Sequence, residues 1–203
     1  MDDRLSRLLE EIYESGVEHD SKTADHAKRM LNITPDTGRF LSILVRAVRA
    51  ERVLEIGTSN GYSTIWIADA LRQRNGKAVS VEVSREKEAM ARSNLERSGL
   101  LDFVDLHVAD AGVFLKTLDS SSFDLVFMDA ARTQYLSYWE DIDRVLRPGG
   151  ILVVDNAIEP KPDEPVDLFT RVNGSGRYTS QIIPVGKGEF LATKLETTQL
   201  WNS

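Results

Sequence analysis

One short stretch constrains the fold more than any other part of this chain of 203 residues, and it runs Val53-Leu-Glu-Ile-Gly-Thr-Ser-Asn-Gly-Tyr-Ser63. Its first part is apolar and rich in β-branched residues, which predicts a short buried strand that ends at Gly57. From Ser63 to Leu71 the apolar residues recur at helical spacing. A strand, a glycine turn and a helix in this order form a ligand-binding turn, because the free N–H groups of the helix point back toward the ligand.

The glycines and one acid indicate what kind of ligand this turn suits. Gly57 is predicted to allow a sharp exit from the strand, and Gly61 to let a ligand come close to the backbone. The spacing is G-x-x-x-G rather than the G-x-G-x-x-G of dinucleotide-binding turns, and Glu55 lies just before the first glycine. A carboxylate at this place opposes a pyrophosphate and suits a ligand that is cationic or rich in hydroxyl and amino donors.

The string VLEIGTSNGYST resembles motif I of the class I S-adenosylmethionine (SAM)-dependent methyltransferases, in the form found in the catechol O-methyltransferase-like family of small O-methyltransferases. The resemblance covers about Met30 to Lys194, and the alternative is an ordinary βα turn in some other α/β domain. It implies SAM as the cofactor. The motif residues that would contact it are Glu55, Gly57, Ser59, Gly61 and Ser63.

Length and composition fit one globular domain over residues 1–203. The net charge of −7 makes a nucleic-acid partner unlikely, although a local patch on a large RNA stays possible, and the absence of cysteine excludes disulfides and zinc–sulfur sites. There is no run of 18 apolar residues, and the charged N-terminus lacks a signal-peptide core. We therefore expect a cytoplasmic protein without a membrane span.

The order of the predicted elements indicates the fold class. We expect helices over about 3–14, over Lys22 to Leu31, and from the Thr34-Pro35 cap to about Arg49. These form a helical cover (1–49) on an α/β core (50–195), in which strands alternate with helices and a hairpin over 178–194 closes the sheet. The prediction is a doubly wound, mainly parallel, Rossmann-like sheet with a C-terminal antiparallel hairpin. An exposed loop is predicted over 159–165 and a frayed end over the last nine or so residues.

Five acids stand at the C-terminal ends of the predicted strands, where a parallel sheet collects its ligands: Glu55, Glu82, Asp110, Asp129 and Asp155. A carboxylate at the end of the second strand, Glu82, can accept hydrogen bonds from both hydroxyls of a ribose. The resemblance implies that Asp110 and Ala111 contact the adenine, and Asp110 is also a candidate helix N-cap. The resemblance also implies that Asp129 contacts the cofactor.

Asp129, Asp155 and Asn156 form a second group of predicted site residues. Two carboxylates and an amide oxygen are hard ligands that suit Mg²⁺ or Ca²⁺. They match the metal triad of the resembled family, with one Asp after the fourth strand and Asp-Asn after the fifth. The simpler alternative is that Asp155-Asn156 only turns the chain.

Arg132 departs from the resembled family. The family usually has a lysine as general base three residues after the first metal aspartate, and this chain has Asp129-Ala-Ala-Arg132-Thr-Gln-Tyr135. Arginine stays protonated in proteins, so Arg132 cannot be that base. Either a metal alone generates the oxyanion, with Arg132 stabilising it, or another group takes the proton, or activity is lost.

The resemblance therefore implies a metal-assisted O-methyltransferase in which Asp129 and Arg132 are catalytic. Its substrate would be a small molecule that is catechol-like or has two adjacent oxygens. The alternatives are a non-catalytic SAM-binding accessory protein and a methyltransferase of the same fold that acts on a hydroxyuridine in tRNA. A homodimer through the N-terminal helices is expected from the family alone.

Overall fold

The computed structural model describes residues 2–158 and 167–196. Its central element is a sheet, whose strands in this part of the chain are β1 Arg52–Ile56, β2 Lys77–Glu82, β3 Val104–Val108, β4 Phe123–Met128, β5 Leu146–Val154, β6 Tyr178–Ile183 and β7 Glu189–Lys194. Their spatial order is β3-β2-β1-β4-β5-β7-β6. The first five strands of that order run parallel, and β7 is antiparallel to both β5 and β6. The predicted mainly parallel sheet with a C-terminal hairpin is confirmed.

Helices cover both faces of the sheet: α1 Asp3–Lys22, α2 Pro35–Ala47, α3 Tyr62–Leu71, α4 Arg85–Ser98, α5 Ala111–Leu115, α6 Tyr135–Val145 and α7 Asp167–Gly174. Helices α1, α2, α3 and α4 pack on one face of the sheet and share one apolar core. Helices α5, α6 and α7 pack on the other face and share a second core. The fold is therefore doubly wound. None of the described helices is long and apolar enough to cross a membrane.

All ten residues of α3 are buried, because the helix lies between the sheet and the N-terminal helices. A helix that is apolar on nearly every side suits such a position. Its one buried acid, Asp69, is neutralised by ion pairs with Arg46 at 2.8 Å and Arg72 at 2.9 Å. The helix that starts at the glycine turn is thus fixed along its whole length.

The N-terminal region differs from the prediction. The first helix continues to Lys22 instead of ending near residue 14, and the predicted helix from Lys22 to Leu31 is wrong. That segment has only a short 3-10 turn over His26–Lys28. The carboxylate of Asp20 accepts hydrogen bonds from the backbone N–H groups of Met30 and Leu31, at 2.6 and 2.8 Å, and holds this segment in a loop.

The next helix begins as predicted, with Thr34 as N-cap and Pro35 in its first turn. The segment Arg147-Pro-Gly-Gly150 follows α6, which ends at Val145, and it belongs to β5, which has a register irregularity against β4. The loop predicted over 159–165 and most of the predicted frayed end lie outside the described residues.

The sheet places its ligand-binding edge between β1 and β4. These strands are neighbours, but the chain leaves β1 toward β2 and β3 before it returns to β4. In open α/β sheets, ligands bind at such a switch point, outside the carboxyl ends of the strands. Gly57 follows β1 and Asp129 follows β4 at this edge.

Candidate active site

The turn after β1 depends on two glycines with left-handed backbone conformations. Gly57 has φ +102°, and a Cβ there would lie 2.0 Å from the backbone oxygen of Asp129. Gly61 has φ +84° and is the N-cap of α3, where a Cβ would lie 3.1 Å from Ala91 of α4. Packing therefore accounts for both glycines, and the predicted approach of a ligand to Gly61 stays a prediction.

Glu55 lies beneath this turn rather than on the rim where it was expected. Its carboxylate is fully buried and accepts hydrogen bonds from three hydroxyls: Ser63 Oγ at 2.6 Å, Thr64 Oγ1 at 2.5 Å and Ser80 Oγ at 2.5 Å. Burial raises the pKa of Glu55, and the three hydroxyls oppose that rise. Glu55 thus fastens the first turn of α3 to β1 and β2. This position supports the turn, whereas direct contact of Glu55 or Ser63 with a cofactor stays a prediction.

Glu82 closes β2 beside the same turn. One carboxylate oxygen accepts from the backbone N–H of Ser59 at 2.9 Å, and the other accepts from the N–H of Ser84 at 2.9 Å. Ser59 in turn donates from Oγ to the backbone oxygen of Met30 at 2.7 Å. The predicted ribose acceptor is therefore held in a fixed orientation beside the glycine turn.

Asp110 caps α5, as one of its two predicted roles required. Its side chain accepts from the backbone N–H of Val113 at 3.0 Å, and the residue is exposed. Ala111 is the first residue of the helix. An adenine contact by these two residues is compatible with the cap and stays a prediction.

Three carboxylates stand in a row at the other half of the edge. The sheet pairs Met128 with Val154 and Val154 with Phe190, so the residues that follow or precede them are Asp129, Asp155 and Glu189. Neighbouring strands lie about 4.8 Å apart, which brings like charges together. The two predicted metal aspartates are thus brought side by side, and a third acid that was not predicted joins them.

The pKa values of these carboxyls reflect their crowding. Burial and the charge of Asp155 raise the pKa of Asp129 well above its usual range, and burial raises the pKa of Asp155. Burial, followed by the charge of Asp155, raises the pKa of Glu189 to about 10. Lys187 and Arg132 supply positive charge that partly opposes the rise at both aspartates.

Glu189 is fully buried and only partly satisfied. Its Oε1 accepts from Thr37 Oγ1 of α2 at 2.8 Å, whereas its Oε2 receives no hydrogen bond from the described residues. The carboxyl group also lies within hydrogen-bonding reach of Asp155. Two carboxyls hydrogen bond to each other only when one of them is protonated, so this contact requires a proton on Glu189 or Asp155.

The turns that carry Asp129 and Asn156 are connected to each other. Arg132 Nη1 donates to the backbone oxygen of Asn156 at 2.6 Å, and the guanidinium lies 5.9 Å from the ring centre of Phe169. Tyr135 fixes the residue after Asp129, since its hydroxyl accepts from the N–H of Ala130 at 2.6 Å and donates to the oxygen of Ala130 at 3.0 Å. Asn156, with φ +61°, donates from its side chain to Asp155.

The donor chemistry of this region fits a divalent cation. Asp129, Asp155 and Asn156 offer the hard oxygen ligands that Mg²⁺ and Ca²⁺ prefer, and a cation would oppose the burial and the charge of Asp155 that raise the pKa of Asp129. The side chains are not yet arranged in a complete coordination sphere. Across residues 2–158 and 167–196, no group of three or more His, Cys, Asp or Glu side chains is arranged to hold a metal ion.

Comparison with known proteins settles the class to which this geometry belongs. A sequence profile described as O-methyltransferase matches residues 6–195. The chain belongs to the O-methyltransferase family. It is therefore a SAM-dependent methyltransferase, as the motif I resemblance predicted.

Individual relatives agree with this assignment. The chain is 33% identical over 156 residues to a catechol O-methyltransferase of Niastella koreensis, covering 75% of this chain and 70% of that protein. It is 26% identical over 195 residues to a caffeoyl-CoA O-methyltransferase of Eucalyptus gunnii, covering 86% of this chain and 78% of that protein.

Among solved structures, the O-methyltransferase TomG from Streptomyces achromogenes, in complex with SAM, is similar to this chain with a TM-score of 0.78 and 30% identity. That match covers 97% of this chain and 91% of TomG. The sheet and its helices are thus those of a known SAM-binding O-methyltransferase fold.

Two residues at this edge, Thr37 and Glu189, escaped the sequence analysis. Thr37 lies in a helix that precedes the core, and Glu189 lies in the predicted hairpin over 178–194, where no role was assigned to it. The available signal was the predicted hairpin, because a strand paired antiparallel to β5 through Val154 and Phe190 places its residue 189 beside Asp155.

Proposed function

We propose that this O-methyltransferase transfers the methyl group of SAM to one of two adjacent hydroxyls on a small aromatic acceptor, assisted by a divalent cation. The observation that carries the proposal is the pair Asp129 and Asp155, followed by Asn156, at the switch point beside the motif I turn. The similarity to catechol and caffeoyl-CoA O-methyltransferases supports the acceptor class, because both names denote compounds with adjacent oxygens on a ring.

In this proposal the cofactor lies across the carboxyl ends of β1, β2 and β4. Glu82 accepts from the ribose hydroxyls, Asp110 and Ala111 contact the adenine, and the glycine turn lines the methionine portion. Gly57, Ser59, Gly61 and Ser63 belong to that turn, with Glu55 supporting it from below. Holding donor and acceptor in line lowers the barrier because the reacting atoms no longer have to find each other.

Asp129, Asp155 and Asn156 would hold Mg²⁺ or Ca²⁺ at the acceptor end. When bound, the cation supplies Lewis acidity, which lowers the pKa of a coordinated hydroxyl and stabilises its oxyanion. The aspartates orient the acceptor by fixing that position next to the cofactor.

Arg132 serves as a fixed positive charge rather than as a base. Its guanidinium stays protonated, and it bridges the turn after β4 to the backbone of Asn156. In this place it would stabilise the developing oxyanion, and its hydrogen bond holds the turn after β4 to the turn after β5. Asp129 lies between cofactor and acceptor and takes part in both sites.

The test separates cofactor binding from acceptor choice. SAM is titrated into the protein by calorimetry, and methyl transfer is then measured by mass spectrometry on catechol, on phenol and on a tRNA pool, each with Mg²⁺. The expected result is saturable SAM binding and methylation of catechol but not of phenol or tRNA. Equal rates on catechol and phenol would exclude the requirement for two oxygens, and preferred methylation of tRNA would replace the small acceptor.

Homodimerisation through the N-terminal helices is a further part of the proposal. Residues of these helices that remain apolar and exposed, Val17 and Ile43, support it by providing surface for a partner. Light scattering after size exclusion is expected to give twice the chain mass of 22.7 kDa, and a strict monomer would remove this part.

A further inference from the structure

We propose that Lys187 is a catalytic residue of methyl transfer, whose ammonium group donates a hydrogen bond to the reacting oxygen of the acceptor and stabilises that oxygen as an anion. The inference rests on the methyl transfer proposed above and deepens it, and it does not depend on a bound cation. It assigns a role to the turn between β6 and β7, where no site residue was predicted.

The backbone of this turn is held in one place by its packing. Lys187 lies between two glycines with left-handed conformations, Gly186 at φ +57° and Gly188 at φ +93°. A Cβ at Gly186 would lie 2.2 Å from Thr37 Oγ1, and a Cβ at Gly188 would lie 2.3 Å from Cγ1 of Ile158. The turn is therefore packed between α2 and the segment that follows β5.

Main-chain hydrogen bonds place the turn beside the carboxylates of the binding edge. The N–H of Ala157 donates to the oxygen of Gly188 at 2.7 Å, and the N–H of Ile158 donates to the oxygen of Lys187 at 3.1 Å. Both donors follow Asp155 closely in the chain. Lys187 is thus fixed to the same segment that carries the end of β5.

The charge of Lys187 acts on both aspartates of this edge. Burial raises the pKa of Asp129 and of Asp155, and the charge of Lys187 opposes the rise more strongly than that of Arg132 does. Arg132 uses Nη1 to bind the backbone oxygen of Asn156. Lys187 is exposed, and no carboxylate in the described part of the chain forms an ion pair with it. Its ammonium group therefore has donors available for a ligand beside the two aspartates.

Such a donor has a chemical use at the acceptor hydroxyl. In the transfer, the O–H bond breaks and its proton passes to solvent water. The oxygen then forms the O–CH₃ bond while the S–CH₃ bond of SAM breaks and leaves its electron pair on the sulfur. A neutral hydroxyl is a weak nucleophile, and an ammonium ion beside it favours the ionised form. Lys187 is consequently expected to shift the ionisation of the acceptor rather than only to hold its ring.

The experiment uses 4-nitrocatechol as the probe, since its absorbance reports whether its hydroxyl is ionised. The probe is bound to the full chain together with S-adenosylhomocysteine, which has no methyl group to transfer, and the absorbance is followed as pH is varied. Wild type is expected to lower the pKa of the bound probe below its value in water. In Lys187→Met that pKa should rise by about one unit, because the attraction to the ammonium group is lost.

Two variants control for charge and for position. Lys187→Arg keeps the positive charge and should restore most of the shift. Lys77→Met removes an exposed lysine that pairs with Asp105 at the amino end of β2, and it should behave as wild type.

Turnover gives a second measurement. Lys187→Met should slow the methylation of catechol about tenfold, because an anion that is less favoured by about one pKa unit is tenfold rarer. The same variant should slow the methylation of 4-nitrocatechol by less than about threefold, because the nitro group already makes that hydroxyl acidic. A residue that only binds the acceptor or supports the turn would slow both reactions equally.

An identical probe pKa in wild type and Lys187→Met, or equal losses of rate on the two acceptors, would overturn the inference. A cooperative melt and wild-type SAM affinity show that the variant is folded. Wild type that methylates neither acceptor would overturn the proposed function together with this inference. In contrast, wild-type turnover that does not depend on Lys187 leaves the proposed function intact and removes only the new catalytic residue.

Discussion

The carboxylates at the two halves of the binding edge are neutralised in different ways. In the half formed by β1 and β2, protein donors surround each acid: three hydroxyls at Glu55 and two backbone N–H groups at Glu82. In the half formed by β4, β5 and β7, Glu189 has one hydroxyl donor, and burial together with the charge of Asp155 raises the pKa of both Asp129 and Glu189. The acids of the first half are satisfied by protein donors, whereas those of the second half are crowded carboxyls whose ionised forms a cation would stabilise.

The largest expected effect is on stability in the first half. Glu55→Leu leaves the hydroxyls of Ser63, Thr64 and Ser80 without their shared acceptor, at about 1 kcal/mol each, so the free energy of unfolding should fall by about 3 kcal/mol. Urea denaturation measures this. Glu55→Gln keeps an acceptor of the same size and should lose less, and an unaltered midpoint in Glu55→Leu would contradict the supporting role.

The next effect is on activity in the second half. Asp155→Ala should lower the rate of methyl transfer by about 100-fold or more, because Lewis-acid stabilisation is worth several kcal/mol. SAM affinity measured by calorimetry should stay within about threefold of wild type. Asp105→Asn, an exposed acid on β3 that pairs with Lys77, serves as the control. If Asp155→Ala lowers SAM affinity as much as it lowers the rate, then the second half is also part of the cofactor site, which would contradict the proposed separation.

Glu82→Ala should produce the opposite pattern. It removes the acceptor that is proposed to hold the ribose, and SAM affinity should fall about tenfold or more, since charge-assisted hydrogen bonds contribute about 1.5–3 kcal/mol. Mn²⁺ affinity should not change, because Glu82 lies at the end of β2, with β1 between it and the carboxylate row. Calorimetric titrations with each ligand test both statements, and SAM binding at wild-type strength would remove Glu82 from the cofactor site.

The smallest effect is on the free energy of unfolding in the second half. Here a substitution should stabilise the protein, whereas Glu55→Leu should destabilise it. The pKa of Glu189 is raised in the fold to about 10 from an ordinary value of 4.5, so the folded state favours its protonated form. The stabilisation from protonated Glu189 is complete below pH 4.5 and is lost as pH rises toward about 10. In EDTA at pH 8, Glu189→Gln should therefore be more stable than wild type by about 1 kcal/mol or more.

Thermal melts of both proteins at pH 5 and pH 8 measure this difference, which should shrink at the lower pH. If Glu189→Gln is less stable than wild type at pH 8, then replacing a buried acid destabilises both halves, and the proposed difference between them is wrong.

Much of the fold could be predicted because its signals are local. The runs Val53–Ile56, Phe123–Met128 and Ile151–Val154 are apolar enough to mark buried strands, and Gly57 with Gly61 marks the turn. The acids that follow these strands were found by the same local pattern, because parallel strands present their carboxyl ends at one edge.

The missed features depend on contacts between residues distant in the chain. The apolar spacing of residues 22–31 resembles a helix, but Asp20 accepts from the N–H groups of Met30 and Leu31 and stabilises a loop instead. The place of Glu189 follows from its pairing with β5, and its partner Thr37 comes from a helix before the core. Neither contact has a signal in the residues that immediately surround it.

The most direct test of cation-assisted methyl transfer is the rate on catechol at saturating SAM as free Mg²⁺ is varied. We expect a rate that rises to saturation in wild type, falls to background in EDTA and returns when Mg²⁺ is added back, with Asp155→Ala near background throughout. A wild-type rate that is the same in EDTA and in Mg²⁺ would contradict the account.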